Sequence, residues 1–311
     1  MRIRVTVAAV SGALALSALA VPAAQAADDA VSRADVAKIR EAAHAAQAAS
    51  GRSALSTAAA AAEDQPYALD VAYSNFKIAK AVKVGTTNHV STKVTYTMTH
   101  GADVDVTAED FYSDPYIYKG AFDTPDNVLF GIDYGTCTPA SATTANCTGT
   151  IDVYPGDGEL INSDAGGWKA GAMAIAFNGQ DPNAETFDIT KVGFADKGDL
   201  ATTLVQRYSK LTVNASPEPV KKGKTITVTG KLSRANWEDN KYHGYVGQPV
   251  KLQFRKKGST TYSTVKTIKT NSTGELKTTV TASVDGYFRY TFAGTTTTPA
   301  ATATGDFVDV Q

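Results

Sequence analysis

The sequence predicts an all-β protein of two antiparallel β-sandwich domains, the second immunoglobulin-like with seven strands, after a short N-terminal helix. From Tyr67 onward, apolar and polar residues alternate with a period of two, which is typical of half-buried strands. Turn sequences rich in Gly, Pro, Asp and Asn separate these runs about every 10–15 residues. The C-terminal part holds seven such runs in about 100 residues, which favours an immunoglobulin-like sandwich.

The first 26 residues have the pattern of a secretory signal peptide. Arg2 and Arg4 precede an apolar run over residues 5–21. Pro22 ends that run, and the motif AQA at positions 24–26 fits a signal-peptidase site. A membrane anchor is the alternative, but a span needs about 20 apolar residues and this run is shorter and polar in places. We therefore expect a secreted, extracellular chain without a membrane span after cleavage.

Residues 27–65 are predicted to form an alanine-rich leader with one short helix and a flexible linker. Ser32 and Asp35 have the spacing of a helix-capping pair, and the residues after them are good helix formers. Because most apolar residues here are alanines, we expect the helix to bury little surface. His44 has no companion ligand nearby in the sequence and is predicted to be a surface residue.

Residues 66–210 are predicted to form the first β-sandwich. In KVTYTMTH, the side chains of Val94, Tyr96 and Met98 alternate with polar ones. Further strands are predicted in FYSDPYIYKG, NVLFGIDYG, TGTIDVYPG, WKAGAMAIAF and FDITKVGFAD. A single helical turn is expected near residues 198–204.

Cys137 and Cys147 are the two cysteines of the chain. The segment between them has no apolar anchor and is predicted to be a flexible loop in a hairpin with the arms NVLFGIDYG and TGTIDVYPG. After export they are expected to form a disulfide, worth about 2.5–3 kcal/mol on the chain-entropy account. A redox or metal role would need a CxxC motif or a nearby His, and neither is present.

Residues 211–311 are predicted to form the immunoglobulin-like domain. Its strands are expected in KLTVNAS, KTITVTGKL, PVKLQFRKK, TYSTVKTIK, ELKTTVTAS, GYFRYTFAG and GDFVDV. In GYFRYTFAG, Phe288, Tyr290 and Phe292 share one face and Tyr287, Arg289 and Thr291 the other. The cysteine pair of antibody domains is absent, so apolar packing alone must form this core.

The net charge of the chain is −1, but its two predicted domains have net charges of opposite sign. Residues 66–210 hold 18 acidic and 10 basic side chains, whereas residues 211–311 hold 7 acidic and 14 basic ones. This division predicts either mutual docking of the domains or attraction of one to cations and the other to anionic polymers; ordinary surface charge is the alternative.

Two stretches of this sequence resemble a known group of proteins. The run from Gln206 to Val310, with RYSKLTVNASPEPVKKGKTITVTGKL and DGYFRYTFAGTTTTP, resembles a module of secreted actinobacterial proteins, Streptomyces especially. LINSDAGGWKAGAMAI resembles the first domain of the same two-domain proteins. Some of these relatives are named calcium-binding, so the resemblance implies a secreted β-sandwich protein and, weakly, calcium.

One acidic loop is a candidate metal site. In YPGDGELINSDAGG, four oxygen-bearing side chains fall within eight residues and could wrap a calcium ion. These candidates are Asp157, Glu159, Asn162 and Asp164. The loop fails the EF-hand template, and an acidic turn that caps its own backbone is the alternative.

One aromatic loop, ANWEDNKYHGY, is a candidate ligand site. Trp237, Tyr242 and Tyr245 could stack on sugar rings, or Trp237 could instead fold back and plug the end of the sandwich. Nearby lysines could add attraction to anionic cell-wall polymers, while the scarcity of interleaved aromatics argues against nucleic acid. These lysines are Lys221, Lys222, Lys224, Lys256 and Lys257.

The sequence therefore favours a secreted, non-catalytic binding or structural protein of the cell envelope or extracellular matrix, with calcium binding by the acidic domain as a hypothesis. No HExxH, GxSxG or phosphate-binding glycine loop occurs. The alternative is a secreted hydrolase that uses paired carboxylates of the acidic domain, which are recognised by geometry rather than by spacing.

Overall fold

The structure is a computed structural model that describes residues 31–52 and 65–311, with the backbone alone for residues 46–52. The predicted signal peptide and residues 53–64 lie outside the described residues. Within the described chain, the strands pair almost entirely in antiparallel sheets that form two β-sandwiches, with one helix at the N-terminal side. The second sandwich is immunoglobulin-like, so the predicted fold class is confirmed.

The helix α1 spans Arg33–Arg52. The strands of the first sandwich are β1 (Tyr67–Ala68), β2 (Val71–Lys77), β3 (Ala81–Val84), β4 (Val90–His100), β5 (Phe111–Gly120), β6 (Pro125–Phe130), β7 (Thr136–Ser141), β8 (Thr144–Val153), β9 (Gly166–Ala176) and β10 (Gly193–Arg207). Short 3-10 helices lie at Pro155–Asp157, Asn162–Asp164 and Ile189–Lys191.

The strands of the second sandwich follow directly after β10. They are β11 (Ser209–Leu211), β12 (Asn214–Ser216), β13 (Thr225–Asn236), β14 (Lys241–Gly244), β15 (Pro249–Lys256), β16 (Ser263–Lys269), β17 (Glu275–Thr281), β18 (Gly286–Phe292), β19 (Ala301–Thr302) and β20 (Asp306–Val308).

The first sandwich packs two sheets around one apolar core. One sheet has the order β1-β10-β9-β5-β6 with β3 also paired to β10, and the other has the order β2-β4-β8-β7. The period-two pattern of β4 is confirmed, because Val94, Tyr96 and Met98 are buried and face Trp168 and other core residues. The strand β10 pairs with β9 in antiparallel fashion and with β1 and β3 in parallel.

The helix α1 covers the outer face of the β5-β9-β10 sheet. Ser32 caps it as predicted, since the Asp35 backbone N–H donates to Ser32 Oγ at 3.2 Å. Val36 and Ile39 are buried with Met173 in a second apolar cluster, so the expectation that this helix buries little surface was wrong. Val36 and Ile39, together with ion pairs of Arg33 and Arg40, hold the helix on the sheet, whereas its alanines alone would bury too little surface to do so.

The prediction that His44 is a surface residue was also wrong. Its side chain is 14% exposed, and its Nε2 lies 3.0 Å from Asp196 Oδ2 of β10. Phe122 packs against the imidazole, with ring centroids 5.2 Å apart. A partner 152 positions away leaves no local signal in the sequence.

The Cys137–Cys147 disulfide is confirmed, but the segment between the cysteines is not a flexible loop. It forms the hairpin β7–β8, in which Cys137 lies directly opposite Cys147. The predicted arm NVLFGIDYG instead contributes β6, which pairs with β5. Threonines suit a pleated surface, and pairing with β4 on the other side of β8 holds the hairpin in the sheet.

The helical turn expected near residues 198–204 was wrong as well. This segment continues β10 past an irregularity between Lys197 and Ala201, and it pairs with β9. Leu and Ala favour a helix locally, but hydrogen bonds to β9 and β3 on both sides decide the conformation. The predicted strand FDITKVGFAD begins only at Gly193, after a 3-10 turn.

The second sandwich contains all seven predicted strands. One sheet has the order β11-β13-β12 with β14 and β17 also paired to β13, and the other has the order β16-β15-β18-β19 with β20 on β18. Its core includes Val228, Leu252, Leu276 and Tyr290, all buried. The structure adds the short strand β14, which turns part of the predicted aromatic loop into a hairpin with β13.

Candidate functional site

The acidic loop and the aromatic loop, predicted as separate sites, meet at the junction of the two sandwiches. The Asn162 side-chain amide donates to Asn236 Oδ1 and Glu238 Oε2, each at 2.7 Å. Asn162 Oδ1 accepts a hydrogen bond from the Trp237 backbone N–H at 3.2 Å. One asparagine of the candidate metal loop thus joins the first sandwich to the β13–β14 hairpin.

Asp164 and Glu159 of the acidic loop bond to the backbone of the loop, and Asp164 also bonds to the neighbouring strand β6. Asp164 Oδ2 accepts from the Ile161 backbone N–H at 2.8 Å and from Asn127 at 3.3 Å. Glu159 Oε2 accepts from the Tyr154 backbone N–H at 2.6 Å. This geometry matches the alternative of an acidic turn that caps its own backbone.

No group of three or more His, Cys, Asp or Glu side chains suited to a metal ion occurs among residues 31–45 and 65–311. Asp157, Glu159, Asn162 and Asp164 lie in the same loop, but the described side-chain hydrogen bonds of the last three go to different partners. Calcium binding would require Asn162 to leave the junction or to take no part. It stays a prediction, tested by melting in calcium and in chelator.

Trp237 is the plug of the junction. It is 2% exposed, packs with the core of the first sandwich, and its Nε1–H donates to the Gly85 carbonyl at 2.9 Å. Tyr242 packs against the same core, whereas Tyr245 packs against the core of the second sandwich. Trp237 and Tyr242 therefore pack between the sandwiches, and Tyr245 packs against the core of the second one.

Arg207, the last residue of β10, is buried beside this plug. Its Nε–H donates to the Ala235 carbonyl at 2.6 Å. Burial, and secondarily the charge of Arg234, lower the pKa of Arg207 to about 10. Gln206 and Ser209 donate to backbone carbonyls of the loop before β19. The polar side chains where the chain passes from β10 to β11 therefore have hydrogen-bond partners in the second sandwich.

A second set of side chains, not foreseen from the sequence, lies on the outer face of the β16-β15-β18-β20 sheet. They project away from the core of the second sandwich, and all except Lys257 are half-buried. We call this set the stacked face. Its members are Arg255, Lys257, Tyr262, Tyr287, Arg289 and Phe307.

Guanidinium groups lie over aromatic rings across the stacked face. The Arg289 guanidinium carbon is 3.7 Å from the Tyr262 ring centroid, and that of Arg255 is 4.2 Å from the Tyr287 centroid. The register explains the order, because Arg255 lies opposite Tyr287 and Tyr287 opposite Phe307. Stacking of this kind holds a planar cation in one orientation.

Neither arginine of the stacked face has a carboxylate partner among the described residues. Arg289 Nε–H donates to the Gln253 side-chain oxygen at 2.9 Å. Arg255 Nη1 donates to the Ser259 carbonyl at 2.6 Å. Each guanidinium carries five N–H donors, so most of them are free to bind an anion.

Lys257 marks the edge of the stacked face. Its Nζ is 5.3 Å from the Phe307 ring centroid and 3.3 Å from Asp285 Oδ2. This lysine was among the candidate residues for anionic polymers, but Asp285 offsets its charge. The alternating pattern of β15 and β18 puts Arg255 and Arg289 on the face away from the core. The strand register, which places them over tyrosine rings, could not be predicted from the sequence.

The two described clefts on the first sandwich have no carboxylate in their walls. One is lined by Val106, Phe111, Ser113 and Cys137 among others, and one by Lys80, Trp168, Lys169 and Thr203 among others. The carboxyl with the most strongly raised pKa, Asp114, lies under α1 instead. This placement gives no support to a hydrolase built on paired carboxylates.

No protein-family model matches the chain, and no curated protein matches it. Solved structures similar to it include the adhesin InvE of Yersinia pseudotuberculosis, at 15% identity and a TM-score of 0.21, with 75% of this chain and 56% of that one covered. The mouse nectin-like molecule 4 ectodomain is 11% identical with a TM-score of 0.22, covering 76% and 63%. The D00-D0 domain of intimin is 13% identical with a TM-score of 0.24, covering 76% and 99%.

The chain thus spans 56% and 63% of the first two of these structures. TM-scores this low carry no weight for function. Within the described residues, no helix is long and apolar enough to cross a membrane.

Proposed function

We propose that this chain is an exported, non-catalytic binding protein whose immunoglobulin-like domain holds an anionic polymer of the cell envelope or extracellular matrix. The observation that carries the proposal is the stacked face: two arginines without carboxylate partners, each lying over a tyrosine ring. Its position on a domain with 14 basic and 7 acidic side chains adds long-range attraction.

The chemistry of the stacked face suits repeating phosphate or carboxylate groups. A guanidinium already held on a ring loses little freedom when it binds an anion, and it can bind both oxygens at once. The rings of Tyr262 and Tyr287 support the guanidinium groups that lie over them. A polymer with repeating charged groups fits this arrangement.

Export is supported by the N-terminal pattern and by the disulfide. Arg2, Arg4 and the apolar run up to Pro22 match a signal peptide. The Cys137–Cys147 bond is of the kind that persists in oxidising compartments. Trp237 and Tyr242 have a different role in this proposal, which is to hold the two sandwiches together, while Tyr245 packs against the core of the second sandwich.

The proposal is tested by co-sedimentation of the mature chain with purified bacterial cell wall. We expect Arg255→Gln with Arg289→Gln to weaken binding about tenfold or more, since two oriented charge-assisted contacts are lost. The parent should lose affinity as salt is raised, and the double variant should show a smaller salt dependence.

Lys231→Gln with Lys277→Gln is the matched control. Both lysines are exposed on the opposite sheet, so this pair removes the same charge away from the stacked face. If the lysine double variant lost as much affinity as the arginine double variant, net charge alone would drive binding. Unchanged binding of the arginine pair, or binding that survives removal of the anionic polymers from the wall, would refute the proposal.

A further inference from the structure

Two arginines lie close together where the chain passes from the first sandwich to the second. Arg207 ends β10, and its Nε–H donates to the carbonyl of Ala235, the residue after Arg234 in β13. The backbone N–H of Arg207 donates to the Thr297 carbonyl at 3.0 Å, and Arg234 Nη1 donates to Thr298 Oγ1 at 3.4 Å. Both arginines therefore contact the threonine loop before β19. We call Arg207, Arg234 and Thr298 the junction cluster.

The junction cluster is largely buried, and its two positive charges repel each other. Arg207 is 8% exposed and Thr298 is fully buried. Arg234 is half-buried, with its guanidinium carbon 4.0 Å from the Tyr245 ring centroid. Burial lowers the pKa of Arg207, and the charge of Arg234 lowers it further. An anion beside these two cations would therefore be strongly attracted, because water screens charges poorly in a buried place.

The protein itself offsets this charge only in part. Neither arginine forms an ion pair with a carboxylate among the described residues. The charge of Glu238 acts on Arg207 and opposes the lowering of its pKa. However, Glu238 is exposed, and its Oε2 accepts a hydrogen bond from the Asn162 amide at 2.7 Å. The junction cluster thus keeps an excess of positive charge.

The junction cluster also has more hydrogen-bond donors than acceptors. Only the Nε–H of Arg207 bonds to a carbonyl, and its Nη groups have no acceptor among residues 31–45 and 65–311. Thr298 Oγ1 accepts from Arg234, while the proton of this buried hydroxyl has no acceptor in the same part of the chain. Buried donors are normally paired. These donors therefore indicate a ligand that carries several acceptor oxygens.

We propose that the junction cluster binds a small tetrahedral oxyanion of the phosphate or sulfate class, and that this anion ties the two sandwiches together. Two guanidinium groups and one hydroxyl can donate to different oxygens of such an ion. Arg207 comes from the first sandwich, whereas Arg234 and Thr298 come from the second. Because Thr298 and Arg207 are buried, the cluster admits a compact ion rather than a length of polymer. The site is separate from the stacked face, which lies on the other sheet of the second sandwich.

The test is a calorimetric titration of inorganic phosphate into the full mature chain that carries Arg255→Gln with Arg289→Gln, so that the stacked face does not contribute. Sodium chloride holds the ionic strength constant. We expect saturable binding at one site. Adding Arg234→Gln to this chain should weaken binding about tenfold or more, because charge-assisted hydrogen bonds are lost. Adding Thr298→Val, which keeps the shape of the side chain, should weaken it about threefold or more.

Lys231→Gln is the matched control, because it removes one positive charge from an exposed position of the same strand as Arg234. It should leave the affinity for phosphate unchanged. Glu238→Gln should bind phosphate more tightly, since it removes the carboxylate whose charge acts on Arg207. Melting curves establish that each variant is folded, and Thr298→Val decides the test if Arg234→Gln does not fold.

Three results would overturn the proposal. The first is a chain that shows no saturable binding of phosphate. The second is an affinity in Arg234→Gln, or in Thr298→Val, equal to that in Lys231→Gln. The third is a Glu238→Gln chain that binds no more tightly than the chain without this change. Binding to cell wall is measured separately and depends on the stacked face, so either proposal can fail without the other.

Discussion

Two buried aspartates under α1 respond to their surroundings in opposite directions. Burial raises the pKa of Asp114 to about 7, although the Arg33 charge opposes this. Burial would also raise the pKa of Asp196, but the hydrogen bond with His44 and the charge of Arg40 hold it below the ordinary value. The number and placement of donors around each carboxylate therefore decide its charge state.

These shifts give each aspartate its own pH window. Because the pKa of Asp114 is raised in the folded state, its contribution to the free energy of unfolding is fully present below the ordinary pKa of 3.8. That contribution is lost as pH rises through about 7. The lowered pKa of Asp196 means that its contribution is present above 3.8 and is lost as pH falls below that value.

The substitution Asp114→Asn tests the first of these windows. Asparagine keeps the shape of the neutral acid, so we expect the free energy of unfolding to fall less between pH 4.5 and pH 8 than in the parent. The difference should be on the order of a few kcal/mol, from the size of the shift. Urea unfolding at several pH values measures it. Asp70→Asn, at an exposed position, should show the same change of unfolding free energy with pH as the parent. If Asp114→Asn also showed the parent's change, the raised pKa would not belong to Asp114.

At the scale of single elements, the acidic loop between β8 and β9 carries the calcium hypothesis. Calcium should raise the melting temperature of the first sandwich if several loop oxygens bind it, because a ligand of the folded state stabilises it by mass action. Asp157→Asn with Asp164→Asn should abolish that rise. Magnesium should do less, since a flexible oxygen-rich loop suits the larger ion.

Calorimetry in millimolar calcium and in chelator makes the measurement. Asp103→Asn, an exposed aspartate in another turn, is the control and should keep the calcium response. Because Asp164 already caps the backbone of the loop, the double variant should also melt lower without calcium. Identical transitions of the parent in calcium and in chelator would leave the loop as an acidic turn.

Local periodicity was enough to predict most strands but not their partners. The pattern of β4 and the seven strands of the second domain were readable because each buries alternate side chains. The strand β7 and the distal half of β10 were missed, since neighbours across the sheet rather than their own residues fix them. The stacked face follows the same rule. Arg289 was predicted to lie on the face opposite the core, and only the register sets Arg255 on Tyr287.

At the scale of the whole molecule, Trp237 connects two sandwiches that the sequence presents as separate domains. It belongs to the second sandwich by chain order but packs in the core of the first. The sequence left open whether Trp237 stacks on sugar rings or folds back as a plug. Its acceptor, the Gly85 carbonyl, lies 152 positions away and could not be predicted. Opposite net charges of the two parts are consistent with this docking.

A fragment of residues 209–311 tests whether the second sandwich folds by itself. It keeps β11, which pairs with β13, and a complete apolar core around Leu252 and Tyr290. We expect one cooperative unfolding transition in urea and dispersed amide signals. Because Trp237 is the only tryptophan in the fragment and loses its cover from the first sandwich, its fluorescence should be shifted to the red relative to buried tryptophan.

The Trp237→Phe fragment is the control for that exposed ring. Since the plug does not belong to the core of the second sandwich, this substitution should change the free energy of unfolding of the fragment by less than about 0.5 kcal/mol. In the full chain the same ring is buried and bonded to Gly85, so there Trp237→Phe should cost at least about 1 kcal/mol through the lost hydrogen bond and packing. A fragment without a cooperative transition would show that the second sandwich depends on its neighbour to fold. Equal costs in fragment and full chain would show that the first sandwich does not stabilise the Trp237 ring.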